Sequence, residues 1–381
     1  MKTSFVEYYK SREISPVDQD ISELKLHYSR RESLYIQLGI TKNNIFEKDV
    51  IEFGPGSGHN SIYTAFFKPK KYILVDGNIY GLKKSSNLLN SYYLNNKFEF
   101  IECLIENYHN IDSLKYSLVL CEGVLPFQSN PKKILSDTSR FVDEGGIFVI
   151  TTSCSVSYFT EYLRRVYFRL VTKDLLDIEE KENFVYNEID SHLNTLIGRS
   201  RSTKDWIQDS FQPFNQRPSL SISDALEVLE EEFMLLGSSP TILADNRWYK
   251  SIPFGKTRNE LMKEQYLKNI HNFIDIKNSF PEIDINTGKK IIDITSKIEK
   301  LSWKYELDFC YDDLNKELIF ELQNLNEILM AINLENTVIS INEFINFLKT
   351  GIPSFQKFKE FWGKGQQYLS FVKNNQFILN N

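Results

Sequence analysis

The residues able to do chemistry cluster early in the chain. Glu52 stands two positions before Gly54, glycines follow at 54, 56 and 58, and His59 comes directly after them. Val50, Ile51 and Phe53 make the short apolar run of a buried parallel strand, and His59 to Ala65 reads as the start of a helix. A strand, a glycine turn and a helix start bring backbone N–H groups close to a ligand, because no Cβ blocks the approach. Gly-x-Gly-x-x-Gly would suggest a dinucleotide; the spacing here is Gly-x-Gly-x-Gly. A second apolar run, Lys71 to Val75, ends in Asp76. A carboxylate there can accept hydrogen bonds from both hydroxyls of a ribose, without deciding which cofactor carries it.

The elements that must position these groups alternate strand and helix, as a doubly wound α/β sheet requires. Gly77 and Asn78 form a loop before a helix from Tyr80 to Tyr93. Phe98–Glu102 is a third strand, Tyr116–Cys121 a fourth, and Phe141–Thr151 a helix end, a Gly-Gly turn and a fifth strand. Ser221 to Asp224 has the spacing of a capping box. It leads to two final strands, Phe233–Leu236 and Asn246–Tyr249, expected as an antiparallel hairpin. Before the first strand, Ser15–Pro16 is a plausible N-cap and first helical residue. Ile21, Leu24, Tyr28, Tyr35 and Leu38 keep helical spacing up to a stop at Gly39.

Glu52-x-Gly54-x-Gly56-x-Gly58 resembles motif I of the class I S-adenosylmethionine-dependent methyltransferases, and the later motifs follow in that family's order over roughly residues 48–252. The resemblance implies a Rossmann-like, doubly wound seven-stranded methyltransferase sheet with S-adenosyl-L-methionine as cofactor. It puts Glu52 near the methionine end, Gly54, Gly56 and Gly58 under the sugar, Asp76 on the ribose, and Gly77 and Asn78 in the adjoining loop. An acid that reads the adenine often follows the third strand in the family. Leu104 stands there in this chain, so Leu104 and Ile105 are expected to pack on the ring. The fourth strand emerges beside the transferable methyl, which brings Cys121 into the cofactor shell and makes Glu122 the first candidate base. His59 is the second, since its ordinary pKa suits proton transfer. Either acts on the substrate or is structural, Glu122 as a cofactor contact and His59 as a helix cap. The amino-methylating DNA enzymes' Asn/Asp-Pro-Pro-Tyr/Phe motif is missing, Cys121 has no Pro-Cys setting, and no acid pair suggests a metal.

Three regions are expected: an N-terminal helical lid (1–45), the methyltransferase core (46–255) with an insertion after the fifth strand (156–219), and a C-terminal helical domain (256–381). The insertion is far longer than an ordinary connection. It carries Tyr158, Tyr162, Arg164, Arg165, Tyr167 and Arg169, then Arg199, Arg201, Trp206, Phe211, Phe214 and Arg217. Such residues suit an anionic or glycosidic acceptor through bidentate bonds and ring stacking; the other reading is a helix with solvated arginines. Tyr158, Arg165, Arg247 and Tyr249 are the acceptor-binding candidates. Leu318, Leu322, Leu325, Leu329 and Ile332 form an apolar stripe, as do Ile291, Ile294, Ile298 and Leu301. Each is core or the seam of a homodimer. The tail aromatics Phe355, Phe358, Phe361 and Trp362 are expected to pack back on the body, ahead of a Gly363–Gln367 turn.

The 381 residues carry a net charge of −6, which argues against a general nucleic-acid partner. The four cysteines show no Cys-x-x-Cys spacing, and no apolar run approaches the ~18 residues of a membrane span. The N-terminus lacks a signal peptide's apolar core. The expectation is a soluble cytoplasmic protein. Ile14–Val17, Glu52–Asn60, Val75–Asn78, Gly237–Pro240 and Arg247–Lys250 also resemble methyltransferases of bacterial surface-polysaccharide biosynthesis. The function that follows is methyl transfer to an oxygen or nitrogen of a small molecule or sugar/glycan. Its rivals are an inactive methyltransferase-fold scaffold and, against the glycine spacing, a dehydrogenase.

Overall fold

The computed structural model describes residues 5–15, 18–93, 97–110, 114–126, 128–211, 219–307 and 310–374. In chain order its elements are α1 (Phe5–Ser11), α2 (Leu24–Gln37), β1 (Asp49–Phe53), α3 (Ser61–Phe66), β2 (Lys71–Asp76), α4 (Ile79–Tyr92), β3 (Phe98–Glu102), β4 (Tyr116–Cys121), α5 (Pro131–Ser139) and β5 (Val142–Thr152). There follow α6 (Phe159–Val171), α7 (Ile178–Leu193), α8 (Thr203–Ser210), α9 (Ile222–Val228), β6 (Phe233–Ser239), α10 (Arg258–Asn269), α11 (Ile285–Lys304), α12 (Tyr311–Ala331), α13 (Glu335–Thr350) and β7 (Gln367–Lys373).

The strands make one seven-stranded sheet in the order β3-β2-β1-β4-β5-β7-β6. β1 to β5 pair in parallel, and β7 is antiparallel to both β5 and β6. β6 therefore runs the same way as β5, so Phe53, Asp76, Cys121, Thr152 and Ser239 all end at one edge. Val50, Ile51, Leu74, Val119, Leu120, Phe148 and Val149 are buried, as the continuous apolar runs of a sheet covered on both faces require.

The sequence-read partner of β6 was wrong. Asn246–Tyr249 forms no strand, and the seventh strand is Gln367–Lys373, from the chain's last segment. Ser238–Leu369 and Met234–Val372 are among its register pairs, and Leu369 and Phe371 are fully buried. The continuous burial of Leu369, Ser370 and Phe371 fits a strand between two neighbours better than Asn246–Tyr249, where Trp248 and Tyr249 are exposed.

The chain divides into two compact units. Among the described residues, the sheet unit takes those up to Thr152, those of 217–265 and those from Gln367 on; the helical unit takes those of 153–216 and Tyr266–Gln366. This revises the sequence-read division. The insertion and most of the C-terminal helices share one core, in which the Tyr162 hydroxyl donates to Glu299 at 2.9 Å and the Ser155 and Thr295 hydroxyls pair at 2.8 Å. Ile291, Ile298, Leu318, Leu322, Leu325 and Leu329 are buried there, so both apolar stripes serve as core. Phe355, Phe358, Phe361 and Trp362 also pack inside this unit. Phe127, Phe214 and Arg217 lie outside the described residues, as does Pro16. The N-terminal helix proper begins only at Leu24, with Glu23 rather than Ser15 before it.

Gly237 shows how tightly α2 is fitted to the sheet. A Cβ built there would lie 2.3 Å from the Gln37 carbonyl oxygen and 2.9 Å from Leu38 Cα. Both obstacles are backbone and cannot rotate away. Gly237→Ala should therefore lower stability by about 1–3 kcal/mol, the usual cost of overpacking, read as a lower urea midpoint. An unchanged midpoint would mean that α2 is not held against β6 in this way.

Candidate active site

β1 ends by delivering Gly54 into a left-handed turn, φ +71°, with its N–H on the Val75 carbonyl at 2.8 Å. A Cβ at Gly54 would strike Val124 Cγ2 at 2.1 Å, and one at Gly58 would lie 2.9 Å from Ser85 Cα. Only glycine gives both the dihedrals and the clearance. The turn therefore stays thin between the loop after β4 and α4, and its amides remain approachable.

Asp76 anchors this turn. Its carboxylate accepts the Gly56 N–H at 3.1 Å and the Asn78 N–H at 2.7 Å. Burial pushes its pKa up to about 6, against the pull of those two amides. The Asn78 side chain caps α4 by accepting the Tyr80 N–H and donates to the Ile14 carbonyl at 2.9 Å. The side chain expected to touch the cofactor is thus engaged within the protein. At Gly77, a Cβ would lie 2.8 Å from Leu104 Cδ2 and 3.2 Å from Val6 Cγ2. Leu104 is thus brought beside the Gly77 loop, and it keeps 39% exposure.

Of the expected N-terminal lid, several residues border these loops: Gln19 donates to Asn60 at 3.1 Å, besides contacts from the segment 5–15. Lys10 pairs with Glu102 at the end of β3 at 2.8 Å, and the Tyr80 hydroxyl donates to Glu13 at 3.0 Å. Tyr8 and Tyr9 are buried and Arg12 stacks over the Tyr8 ring, which is packing. α2 is a core helix: Tyr35 and Leu38 sit in the buried cluster that includes Val50, Leu74 and Leu120.

Beneath the turn lie two buried acids. Glu52 is 4% exposed and accepts the Tyr72 hydroxyl. Burial pushes its pKa up to about 7, with Glu122 adding to the rise and Tyr72 opposing it. Glu122, next after β4, is gripped by Arg31 of α2: one guanidinium nitrogen donates to each carboxylate oxygen, at 2.8 and 2.9 Å. The two side chains are 6% and 7% exposed. Burial works against the Arg31 charge, yet Glu122 and the Tyr35 hydroxyl hold its pKa well above the ordinary value. The general-base role expected for Glu122 is corrected by this geometry. Both its oxygens already bind a permanent cation, so taking a substrate proton would break a buried ion pair. Cys121 is fully buried and its thiol is pushed up by burial, then by the two acids; it is a packed wall.

His59 lies just past the third glycine. Its Nδ1 pairs with the Ser57 hydroxyl at 2.6 Å, and its carbonyl accepts from His27 Nε2 at 2.8 Å. Arg165, in the helical unit, is a second correction. It is buried, pairs with Glu306 at 2.8 Å, donates to the Ser210 carbonyl at 2.6 Å, and lies over Trp303. Its donors are used inside that unit, so it is no anion receptor. Tyr158 precedes α6 in the same unit, half-buried. Arg247 grips Asp245 through Nε and Nη2 at 2.9 and 2.7 Å and the Lys256 carbonyl at 2.5 Å, which holds Asp245 down to about 2. Arg247 thus shapes the loop after β6, on which Tyr249 is exposed.

Sequence reasoning missed Arg31. The signal was present: Leu24, Tyr28, Tyr35 and Leu38 form an apolar stripe at spacings of four and three, and Arg31 occupies the middle of it. A charge on a buried stripe demands a partner.

The strand order, the turn and the acid ending β2 define a Rossmann-like methyltransferase fold. Residues 47–215 match the family model described as a methyltransferase domain. A methyltransferase domain thus occupies residues 47–215, and S-adenosyl-L-methionine is the cofactor that such a domain implies. The residues suit that group: glycines at 54 and 58 where a Cβ would clash, an acid ending β2, and buried acids beneath the turn. No curated protein sequence gives a significant match. Among solved structures the chain is similar to PKMT2 from Rickettsia typhi in complex with AdoHcy, at 16% identity over 65% of this chain and 51% of that one, with a TM-score of 0.44. It thus spans about half the length of that structure. It is also similar to the N-methyltransferase NodS from Bradyrhizobium japonicum WM9 with S-adenosyl-L-homocysteine (12% identity, 39% and 74% covered, TM-score 0.31). A third likeness is an O-methyltransferase family protein from Burkholderia thailandensis (15%, 35% and 40%, TM-score 0.29). These likenesses are distant, and no residue role is taken from them. Among the described residues no cluster of His, Cys, Asp or Glu could hold a metal ion, and no helix is long and apolar enough to cross a membrane.

Asp76→Ala should weaken S-adenosylhomocysteine binding by about 1–3 kcal/mol, the range for hydrogen bonds to a charged group. Calorimetry checks this, and equal affinity would remove Asp76 from the ribose site. Glu122→Gln should cost about 3–5 kcal/mol of stability, because Arg31 is left buried without its counter-charge. A denaturant midpoint matching that of the unaltered protein would contradict the pair's role.

Proposed function

We propose that the chain methylates an oxygen or nitrogen of a small molecule or sugar/glycan, in the manner of polysaccharide-biosynthesis methyltransferases. The observation that carries this is the loop after β6. It leaves the sheet at the edge where β1, β2 and β4 end, the edge at which ligands of open α/β sheets bind. Further along it presents Trp248 and Tyr249, 64% and 68% exposed, with Lys250 near both rings. Flat aromatic faces beside a cation match the apolar face and polar rim of a sugar or a small ring. The four free cysteines fit a reducing compartment, and the reaction is placed in the cytoplasm.

The cofactor supplies an electrophilic methyl when bound. An acceptor lone pair would form the C–O or C–N bond as the cofactor's C–S bond broke, with S-adenosylhomocysteine leaving and the acceptor's proton passing to a base or to solvent. The chain's part is to hold the two reactants in line and keep water out. The Arg31–Glu122 pair fixes the position of Glu122. His59 is the titratable side chain at the turn, and it is assigned the proton when the acceptor is a hydroxyl.

Labelled-methyl transfer should be screened against nucleotide sugars, glycans and small amines. With a positive acceptor in hand, Trp248→Ala with Tyr249→Ala should raise its KM about tenfold or more and leave S-adenosylhomocysteine affinity unchanged. An unaltered KM would move the acceptor site elsewhere. Cofactor binding with no transfer to any class would favour the scaffold reading.

A further inference from the structure

The loop between β6 and α10 keeps an apolar tip in solvent. Arg247 closes its base: the guanidinium grips Asp245 on one stem and donates through Nη1 to the Lys256 carbonyl on the other, at 2.5 Å. The segment between is folded back by the Ser251 N–H on the Trp248 carbonyl at 2.9 Å and the Phe254 N–H on the Ser251 carbonyl at 3.2 Å. A tip held in this way has no need of apolar side chains for its own shape. Yet Phe254 is 91% exposed, Trp248 and Tyr249 are exposed edge-to-face with ring centroids 5.9 Å apart, and Pro253 is exposed beside them. A single exposed apolar residue is ordinary. Three aromatics within one short tip form a patch that calls for a partner.

The charge around the tip has one sign. Residues 246–257 contain Arg247, Lys250 and Lys256 and no acid. Over 245–264 five cations face three acids, in a chain whose net charge is −6. Those acids are engaged at the stems: Asp245 with Arg247, Glu264 with Lys256, and Glu260 as acceptor of the Thr257 N–H at 2.7 Å. The Lys250 ammonium lies 5.3 and 5.8 Å from the Trp248 and Tyr249 ring centroids, and among the described residues no carboxylate pairs with it.

Exposed aromatics beside an unpaired lysine are complementary to an anionic lipid surface. Trp and Tyr rings favour the headgroup level, where one end is apolar and the other wet. A Phe can enter the acyl boundary, and a lysine can meet lipid phosphate. We propose that the tip 248–254 is a peripheral membrane anchor that seats the sheet unit on an anionic bilayer, with Phe254 entering the acyl boundary and Lys250 on the headgroup phosphates. So few side chains give a reversible, salt-sensitive hold and require no spanning helix. A nucleic acid would accept the lysine and stack on the rings, but it offers Phe254 no apolar phase, and the chain's net charge opposes it. The inference goes beyond the acceptor role proposed for Trp248 and Tyr249 and does not depend on it, because Phe254 has no part in that role.

The test is flotation of the full chain with vesicles of phosphatidylcholine alone and of phosphatidylcholine mixed with phosphatidylglycerol. The protein should float with the anionic vesicles at low salt, stay free of the neutral ones, and be released at about 0.5 M salt, where surface charges are screened. Tryptophan emission should shift to the blue on the anionic vesicles, and Trp248→Phe should remove that shift. Phe254→Ser and Lys250→Glu should each lower vesicle affinity by about tenfold, with S-adenosylhomocysteine affinity unchanged as the check on folding. No flotation with anionic vesicles would overturn the proposal, as would flotation that survives both substitutions. An emission maximum that stays put on bound vesicles would overturn it too, by reducing the contact to charge alone. Phe254-dependent self-association, or Lys250-dependent RNA binding, in place of vesicle binding would give the tip to that other occupant. The KM for a soluble acceptor bears on the acceptor reading alone.

Discussion

An ionised carboxylate does not persist in an apolar core without a cation, and this protein has two such acids under the turn that defines it. The Arg31–Glu122 pair answers the constraint for one of them, and much of the structure follows. It joins α2, from ahead of the first strand, to the chain leaving β4. The loop beyond β4 carries Val124, which abuts Gly54, so the same anchor helps set the wall of the cofactor turn. Buried pairs of this kind add little net stability compared with an apolar contact, but they resist any rearrangement that separates the partners. Here that resistance fixes the position of Glu122.

The second constraint is the sheet's direction. A strand antiparallel to both neighbours must enter from the edge where the others end. β7 does so after the chain has traversed α11, α12 and α13, and its Ser370 hydroxyl donates to the Leu38 carbonyl at 2.6 Å. The final segment thereby packs against the residues that follow α2, and the sheet unit is closed by the two ends of the described chain. The helical unit, inserted at two points, is held by its own polar core. Arg164 is fully buried and donates to the Phe361 carbonyl at 2.9 Å with its guanidinium over Trp362. The arginines that looked like an acceptor site in sequence are the bolts of this unit.

What the sequence by itself determined is whatever depends on neighbours along the chain. Three glycines at alternate positions after an apolar run dictate a turn that backbone sterics permit to little else, and Asp76 at the end of β2 is placed by strand length alone. The capping box at Ser221 and Asp224 and the apolar stripes of α11 and α12 are equally local. Tertiary structure decided whatever needed a partner far along the chain. Glu122 reads as a base until Arg31, from another element, occupies both its oxygens. Arg165 reads as a receptor until Glu306 meets it. Asn246–Tyr249 and Gln367–Lys373 were both available to pair with β6, and pairing is settled by which one can bury its side chains between two strands. Spacing reports periodicity, but not which distant charge or strand will satisfy it.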